Sequence, residues 1–207
     1  ELSIGDDPRW LVGFSDVSAL HALWGSRGVA SVHASMTKQL AKGSGDPLNA
    51  ELLSLLRDPL AFKGTAWSPH PYNRRGTAEA LAAGGNLAVV SELTETPFNA
   101  IRPGIILVIE DIAEPIYKVE RVLYRLKLAG VLPELAGLVV GQFTDYRPSA
   151  DYEAVEDMVR DMTARYRYPV AFNAPFGHID GNRPLLLNQR SRLTVSSDGV
   201  SLTPLFD

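Results

Sequence analysis

Five consecutive apolar residues, Ile105-Ile106-Leu107-Val108-Ile109, end abruptly at Glu110-Asp111. A run of this length reads as a strand, and open α/β sheets place their ligands beyond the carboxyl ends of such strands. Two acids at that edge either cap and solvate a loop or serve a site; taken alone, the first reading is favoured. Glu110 directly follows the apolar run, so it is expected to be the more buried and better oriented of the two.

The rest of the chain repeats the strand–helix rhythm. Trp10 to Phe14 reads as a short buried strand, Asp16 to about Trp24 as a helix stopped by Gly25 and Gly28, and Val29 to Val32 as the next strand. That is the βαβ pattern of a parallel sheet. Helical spacing recurs between Lys38 and Asp58, over Leu87 to Leu93, from Pro115 to Leu128 and from Tyr152 to Tyr166, with strands at Gly137 to Phe143 and Pro169 to Phe172. From Ala61 to Arg75 the chain turns polar and carries Gly64, Pro69, Pro71 and Asn73, the best candidate for a linker. The tail from Arg192 to Leu205 alternates around Asp198-Gly199, a hairpin signal. The fold class is therefore α/β with an antiparallel tail.

Composition narrows the chemistry. With 207 residues the chain can bury a sizeable core. A net charge of −4 and the lack of a long basic run argue against nucleic-acid and anionic-membrane partners. The absence of cysteine removes disulfides, a thiolate nucleophile and Cys-ligated zinc, and fits a reducing compartment. No apolar run approaches the length of a membrane span. The chain opens on Glu1 rather than Met, so any targeting segment is expected upstream.

Three places can carry chemistry. Ser15, in Gly13-Phe14-Ser15-Asp16, sits between a strand and a helix start, where its hydroxyl is exposed and the following N–H groups point at a developing oxyanion. Locally, a helix cap is the favoured reading, and Val17 occupies the place of the second glycine of a G-x-S-x-G elbow. Glu110 is the second place. His178, in a Gly-rich turn with Gly177, Gly181 and Asn182, is the third, with the best setting of the four histidines for a general base. His21 reads as a packed or surface residue, His33 as ending a strand where it could line a site, and His70 as solvated. No H-E-x-x-H pair supports a metal, and Gly84-Gly85-Asn86 lacks the continuation of a phosphate loop. No metal or other cofactor is expected.

Taken in order, these segments resemble the LD-carboxypeptidase family, which also holds the microcin-immunity hydrolases. The resemblance rests on Gly13-Phe14-Ser15-Asp16-Val17-Ser18-Ala19-Leu20, Gly84-Gly85-Asn86-Leu87, Ile109-Glu110-Asp111 with Glu114-Pro115, Val119 to Leu123, and Phe176-Gly177-His178 followed by Pro184-Leu185. It implies that Ser15 is the nucleophile, Glu110 the triad acid and His178 the triad base, with the backbone N–H of Asp16 as one oxyanion donor. Asn86 and Arg121 become candidate substrate contacts, although Arg121 is better placed to pair with an acid on its own helix. The implied fold is the remainder of a Rossmann-like parallel-sheet nucleophile domain over residues 1–60, a linker over 61–75, and a C-terminal α/β domain with a mixed sheet over 76–207.

The implied reaction is cleavage between an L-diamino acid and D-alanine in murein tetrapeptides, in the cytoplasm during peptidoglycan recycling, by a homodimer. The spacing suits the carboxypeptidase branch better than the immunity branch, whose nucleotide conjugates call for an aromatic stacking surface such as Trp67 or Tyr72. A non-catalytic binding module is the further alternative. The family's upstream Arg-Gly-Gly-Tyr-Gly-like segment, expected to supply a second oxyanion donor, does not occur in these residues, which alone are expected to be nearly inactive. Ala34-Ser35, Glu95 and Asn188 depart from Gly-Pro, Gly and Gly, which puts local turn geometry in question.

Overall fold

The computed structural model describes residue 4 and residues 9–206. Within the segment expected to be the nucleophile domain, residues 1–3 and 5–8 lie outside that description, as does residue 207. The chain begins its regular structure with β1 (Val12–Gly13), a 3-10 turn (Ser15–Val17), α1 (Ser18–Ser26) and β2 (Ser31–His33). β1 and β2 are parallel, joined by the α1 crossover. The expected helix between Lys38 and Asp58 is two helices, α2 (Thr37–Leu40) and α3 (Pro47–Arg57), because Gly43-Ser44-Gly45 interrupts it. Asp46 caps α3, accepting from the N–H groups of Leu48 and Asn49, and Pro47 opens its first turn.

The polar stretch 61–75 is not free chain. It contains β3 (Thr65–Trp67), which pairs antiparallel with β10 (Val200–Pro204) in the tail hairpin. Then come β4 (Gly76–Asn86), α4 (Leu87–Ser91), β5 (Ile106–Ile112), α5 (Ile116–Leu128), β6 (Gly137–Thr144), α6 (Val155–Thr163) and β7 (Val170–Ala171). β8 (Leu185–Leu187) and β9 (Gln189–Val195) complete the set.

Two sheets result. The larger has seven strands in the order β3-β10-β9-β4-β5-β6-β7, parallel from β4 to β7 and antiparallel from β4 through β9 and β10 to β3. The smaller has the order β1-β2-β8. Helices α5 and α6 cover one face of the large sheet through a core that includes Leu107, Ile109, Leu123, Leu138, Met158 and Phe172. Ile106, Val108, Val139, Phe176 and Leu193 fill the other face. β5 is therefore buried on both sides, which is why its sequence is a continuous apolar run. Among the described residues no helix is long and apolar enough to cross a membrane.

The chain passes from the small sheet to the large one in a single residue, Asn188, at φ 58°. Here asparagine replaces the glycine expected by resemblance, and it is among the residues that tolerate left-handed backbone. Its N–H donates to Ala82 O (2.7 Å), and its Nδ2 donates to His21 O (2.8 Å) and Ser31 Oγ (3.2 Å). A second stitch comes from Ser18, whose Oγ accepts from the Asn86 N–H at 2.9 Å. A Cβ at Gly85 would stand 2.6 Å from that oxygen, so the Gly-Gly pair serves close approach of β4 to α1.

Candidate active site

Ser15 stands where β1 turns into α1. Phe14 is extended, and Ser15 itself has φ 62°, a left-handed conformation that costs a non-glycine residue about 1–3 kcal/mol and clusters at functional sites. The sharp turn lifts the side chain off the sheet edge, as in a nucleophile elbow. Val17, in the place of the elbow's second glycine, packs its side chain 3.0 Å from where a Gly13 Cβ would be. Asp16 follows in the first turn, where N–H groups lie outside the helical hydrogen-bond ladder. Its side chain is exposed.

Glu110 lies fully buried near the end of β5, with Asp111 beside it. The ladder between β5 and β6 shifts register there: Ile109 faces Val140, but Asp111 faces Phe143. Such irregularities re-aim side chains next to sites. Asp111 accepts from Asn86 Nδ2 (2.9 Å), Ala88 N (2.8 Å) and its neighbour Ile112 N (2.9 Å). Burial pushes its carboxyl above the usual range, and these donors offset only part of that.

His178 reaches Glu110 from the loop after β7. Gly177 makes the approach possible: at φ 122° it lies against the acid, and a Cβ there would sit 3.2 Å from Glu110 Oε2. Asn182 Oδ1 accepts from Gly177 N (3.1 Å), and Gln142 N donates to Phe176 O (2.9 Å). Arg183 adds a two-pronged ion pair to Glu51 on α3. The loop is thus held from three sides.

The result is a continuous chain of contacts. His178 Nδ1 lies 2.8 Å from Glu110 Oε2, and His178 Nε2 lies 3.1 Å from Ser15 Oγ. A carboxylate only accepts, so Nδ1 carries the proton and Nε2 is left to accept from the serine hydroxyl. Phe14 packs edge-on against the imidazole with centroids 4.9 Å apart, fixing its plane. The bond to Glu110 raises the His178 pKa above its ordinary value, against the opposing effect of burial. For Glu110, burial pushes the carboxyl up, but His178 and the nearby His33 outweigh it and hold the group below its usual range.

Other residues singled out in the sequence are placed elsewhere. Asn86 is buried at the end of β4, register partner of Glu110, and its side chain is engaged: Oδ1 caps α4 by accepting from Val89 N, while Nδ2 donates to Asp111. Arg121 is exposed on α5 with its guanidinium 5.0 Å over the Tyr117 ring, and the fold does not bring it to the Ser15–His178–Glu110 group. His70 is not solvated but half-buried against Tyr72 and Phe172, accepting from Tyr72 N. Tyr72 also lies under the Arg160 guanidinium, and Trp67 Nε1 donates to Phe172 O. His33, read only as able to line a site, is fully buried with Nε2 3.9 Å from Glu110 Oε1; no local pattern links these two positions. A cavity of about 230 Å³ between α4 and α5 is lined by Asp111, Glu114 and Lys118 and contains none of Ser15, Glu110 or His178. Among the described residues no cluster of three or more His, Asp or Glu has metal-binding geometry.

A serine on a strained strand-to-helix turn, an imidazole and a buried carboxylate are linked in that order on an α/β scaffold, an arrangement with the geometry for passing a proton from the hydroxyl to the imidazole. Residues 79–193, more than half of the chain, match the LD-carboxypeptidase C-terminal domain, and the chain belongs to the LD-carboxypeptidase family. It is 28% identical over 201 residues to a putative carboxypeptidase of Synechocystis sp., covering 94% of this chain and 64% of that protein. To the murein tetrapeptide carboxypeptidase of Pseudomonas aeruginosa it is 29% identical over 187 residues, covering 85% of this chain and 60% of that protein. The chain thus spans less than two thirds of the length of these curated relatives.

The crystal structure of muramoyltetrapeptide carboxypeptidase from Oxalobacter formigenes matches with a TM-score of 0.76 at 26% identity, over 94% of this chain and 67% of that one. The microcin C7 self-immunity protein MccF shares the fold, with a TM-score of 0.78 at 18% identity over 97% of this chain and 69% of that one.

Proposed function

We propose that the chain carries the working triad of a serine carboxypeptidase that releases the terminal D-alanine of murein tetrapeptides. The observation that carries this reading is the unbroken contact chain from Ser15 Oγ through His178 to Glu110, at 3.1 and 2.8 Å. Family membership, and the murein and muramoyltetrapeptide carboxypeptidases among its relatives, support a murein peptide as the substrate class.

In this mechanism Ser15 Oγ attacks the carbonyl of the L-diamino acid while His178 Nε2 takes its proton. Glu110 stays ionised, holds the imidazole in the Nδ1–H tautomer and stabilises its charged form. The Asp16 N–H, at the positive end of the turn into α1, donates to the oxyanion. One such donor is worth about 10²–10³ in rate. His178 then gives the proton to the departing D-alanine amine, and water, activated by the same imidazole, hydrolyses the acyl-enzyme. The proposed setting is peptidoglycan recycling in the cytoplasm, by a homodimer.

The test is D-alanine release from a murein tetrapeptide by the natural polypeptide and its Ser15→Ala variant. Loss of about 10⁶ in kcat with the fold intact is expected. Equal release by the variant rejects the nucleophile assignment.

A further inference from the structure

The triad as described uses one oxygen of Glu110. Oε2 accepts from His178, whereas Oε1 is buried and has no hydrogen-bond partner among the described residues. The polar atom facing Oε1 is His33 Nε2, 3.9 Å away. His33 is itself fully buried, and neither of its ring nitrogens has a hydrogen-bond partner among the described residues. Two buried polar atoms facing each other without other partners call for an explanation, since native interiors leave few such groups unpaired. The gap exceeds hydrogen-bond length by about 1 Å.

Position adds weight to the pairing. His33 is the register partner of Gly13 in β1, on the strand that leads into Ser15, and it pairs with Leu185 in β8 on its other side. Its ring lies among Phe14 (5.8 Å), Phe176 (5.4 Å) and His21 (6.5 Å). A phenylalanine would satisfy those ring contacts equally well. What histidine adds is a nitrogen aimed at the carboxylate.

We propose that His33 is a positioning residue: its Nε2–H binds Glu110 Oε1 and fixes the carboxylate so that Oε2 stays on His178 Nδ1. This rests on the reading of Ser15, His178 and Glu110 as a working triad. The ionisable groups that bear on it are few. His178, His33 and Asp111 surround Glu110, Asp16 lies near His178, and His21 stands behind His33. Burial pushes His21 down to about 4, so it is neutral at pH 7.

The experiment is an NMR pH titration of His178 in ¹⁵N-histidine-labelled chain, in the wild type, His33→Phe and His33→Gln. His33→Phe keeps the ring packing but loses the donor. Its freed carboxylate holds His178 less well, so the His178 midpoint falls by about one unit and its Nδ1–H resonance moves upfield. His33→Gln retains an N–H donor and keeps the midpoint near the wild-type value. In the natural polypeptide, His33→Phe lowers kcat about tenfold with KM unchanged, and His33→Gln recovers most of it.

A folded His33→Phe chain whose His178 midpoint stays or rises overturns the proposal. If that variant does not fold, His33→Asn, whose donor is too short to reach, is expected to show the same fall, and an unmoved midpoint there is equally decisive. The two readings fail separately. Full activity of Ser15→Ala rejects the triad, whereas a raised wild-type midpoint that His33 substitution does not move rejects only the role of His33.

Discussion

Gly177 lies flat against Glu110: a side chain's first carbon at Gly177 would stand 3.2 Å from both Cβ and Oε2 of the acid and 3.0 Å from Gln142 O. The residue that presents the imidazole and the residue that orients it are thus separated by a glycine's lack of a side chain. Gly177→Ala is expected to cost about 1–3 kcal/mol, because φ 122° is strained for any L side chain, and to push His178 off Glu110. Urea denaturation together with the His178 midpoint checks this. A midpoint unchanged from wild type contradicts it.

The Arg183–Glu51 pair pins the His178 loop to α3, and Arg183 also donates to Ala66 O at 3.0 Å. Both side chains are largely shielded, so Glu51→Gln is expected to destabilise the fold by about 1 kcal/mol. The same change should lower kcat several-fold through the loop. A loss of stability with kcat intact would confine the pair to a structural role.

At the junction of the two sheets, Asn188→Gly keeps the left-handed backbone but removes the bonds to His21 O and Ser31 Oγ. A loss of about 1–2 kcal/mol is expected. Asn188→Ala loses the same bonds and adds left-handed strain of about 1–2 kcal/mol, so its urea midpoint should be the lower of the two. The reverse order contradicts the account.

Stability should fall in acid for an identifiable reason. His21 is buried, bonded to Gly13 O and Ser31 Oγ, and its pKa is lowered from 6.5 to about 4. The unfolded chain therefore binds more protons than the folded one between these values, and stability drops as pH falls from 6.5 towards 4, by about 3 kcal/mol. Glu110, lowered by its two histidines, adds a loss in the same direction as pH falls through its folded value. In His21→Gln the slope between pH 6.5 and 4 should shrink; an unchanged slope assigns it to other groups. His178 works oppositely. Its raised value contributes stability below the ordinary histidine pKa that is lost as pH rises through the folded value, and activity should rise over the same interval as the base is freed.

The fold was legible in the sequence only in part. Ser15 stands just after β1 and His178 in the loop after β7, but Glu110 lies inside β5, which runs on to Ile112 instead of ending before the acids. That the three side chains meet is a product of tertiary packing, which the sequence offered only through a family resemblance. β4 carries no strand signal because Gly76 to Asn86 is built largely of glycine and alanine, poor strand formers; its pairing with β5 and β9 comes from tertiary context. β3 hid in a polar stretch because its partner, β10, lies at the far end of the chain. His70 looked solvated among prolines, yet the loop folds it onto Phe172. The proximity of His33 to Glu110 is a product of sheet packing, with no trace in local sequence. Arg121 carries the charge that a substrate carboxylate needs, but its helix turns it outward.

The most direct measurement of whether Ser15 is activated by His178 is fluorophosphonate labelling followed by peptide mass spectrometry, on the natural polypeptide and its Ser15→Ala and His178→Ala variants. The account predicts one adduct, on Ser15, forming faster as pH rises through the His178 midpoint, and lost in both variants. Labelling at another residue, or of Ser15 at an undiminished rate in His178→Ala, would contradict it.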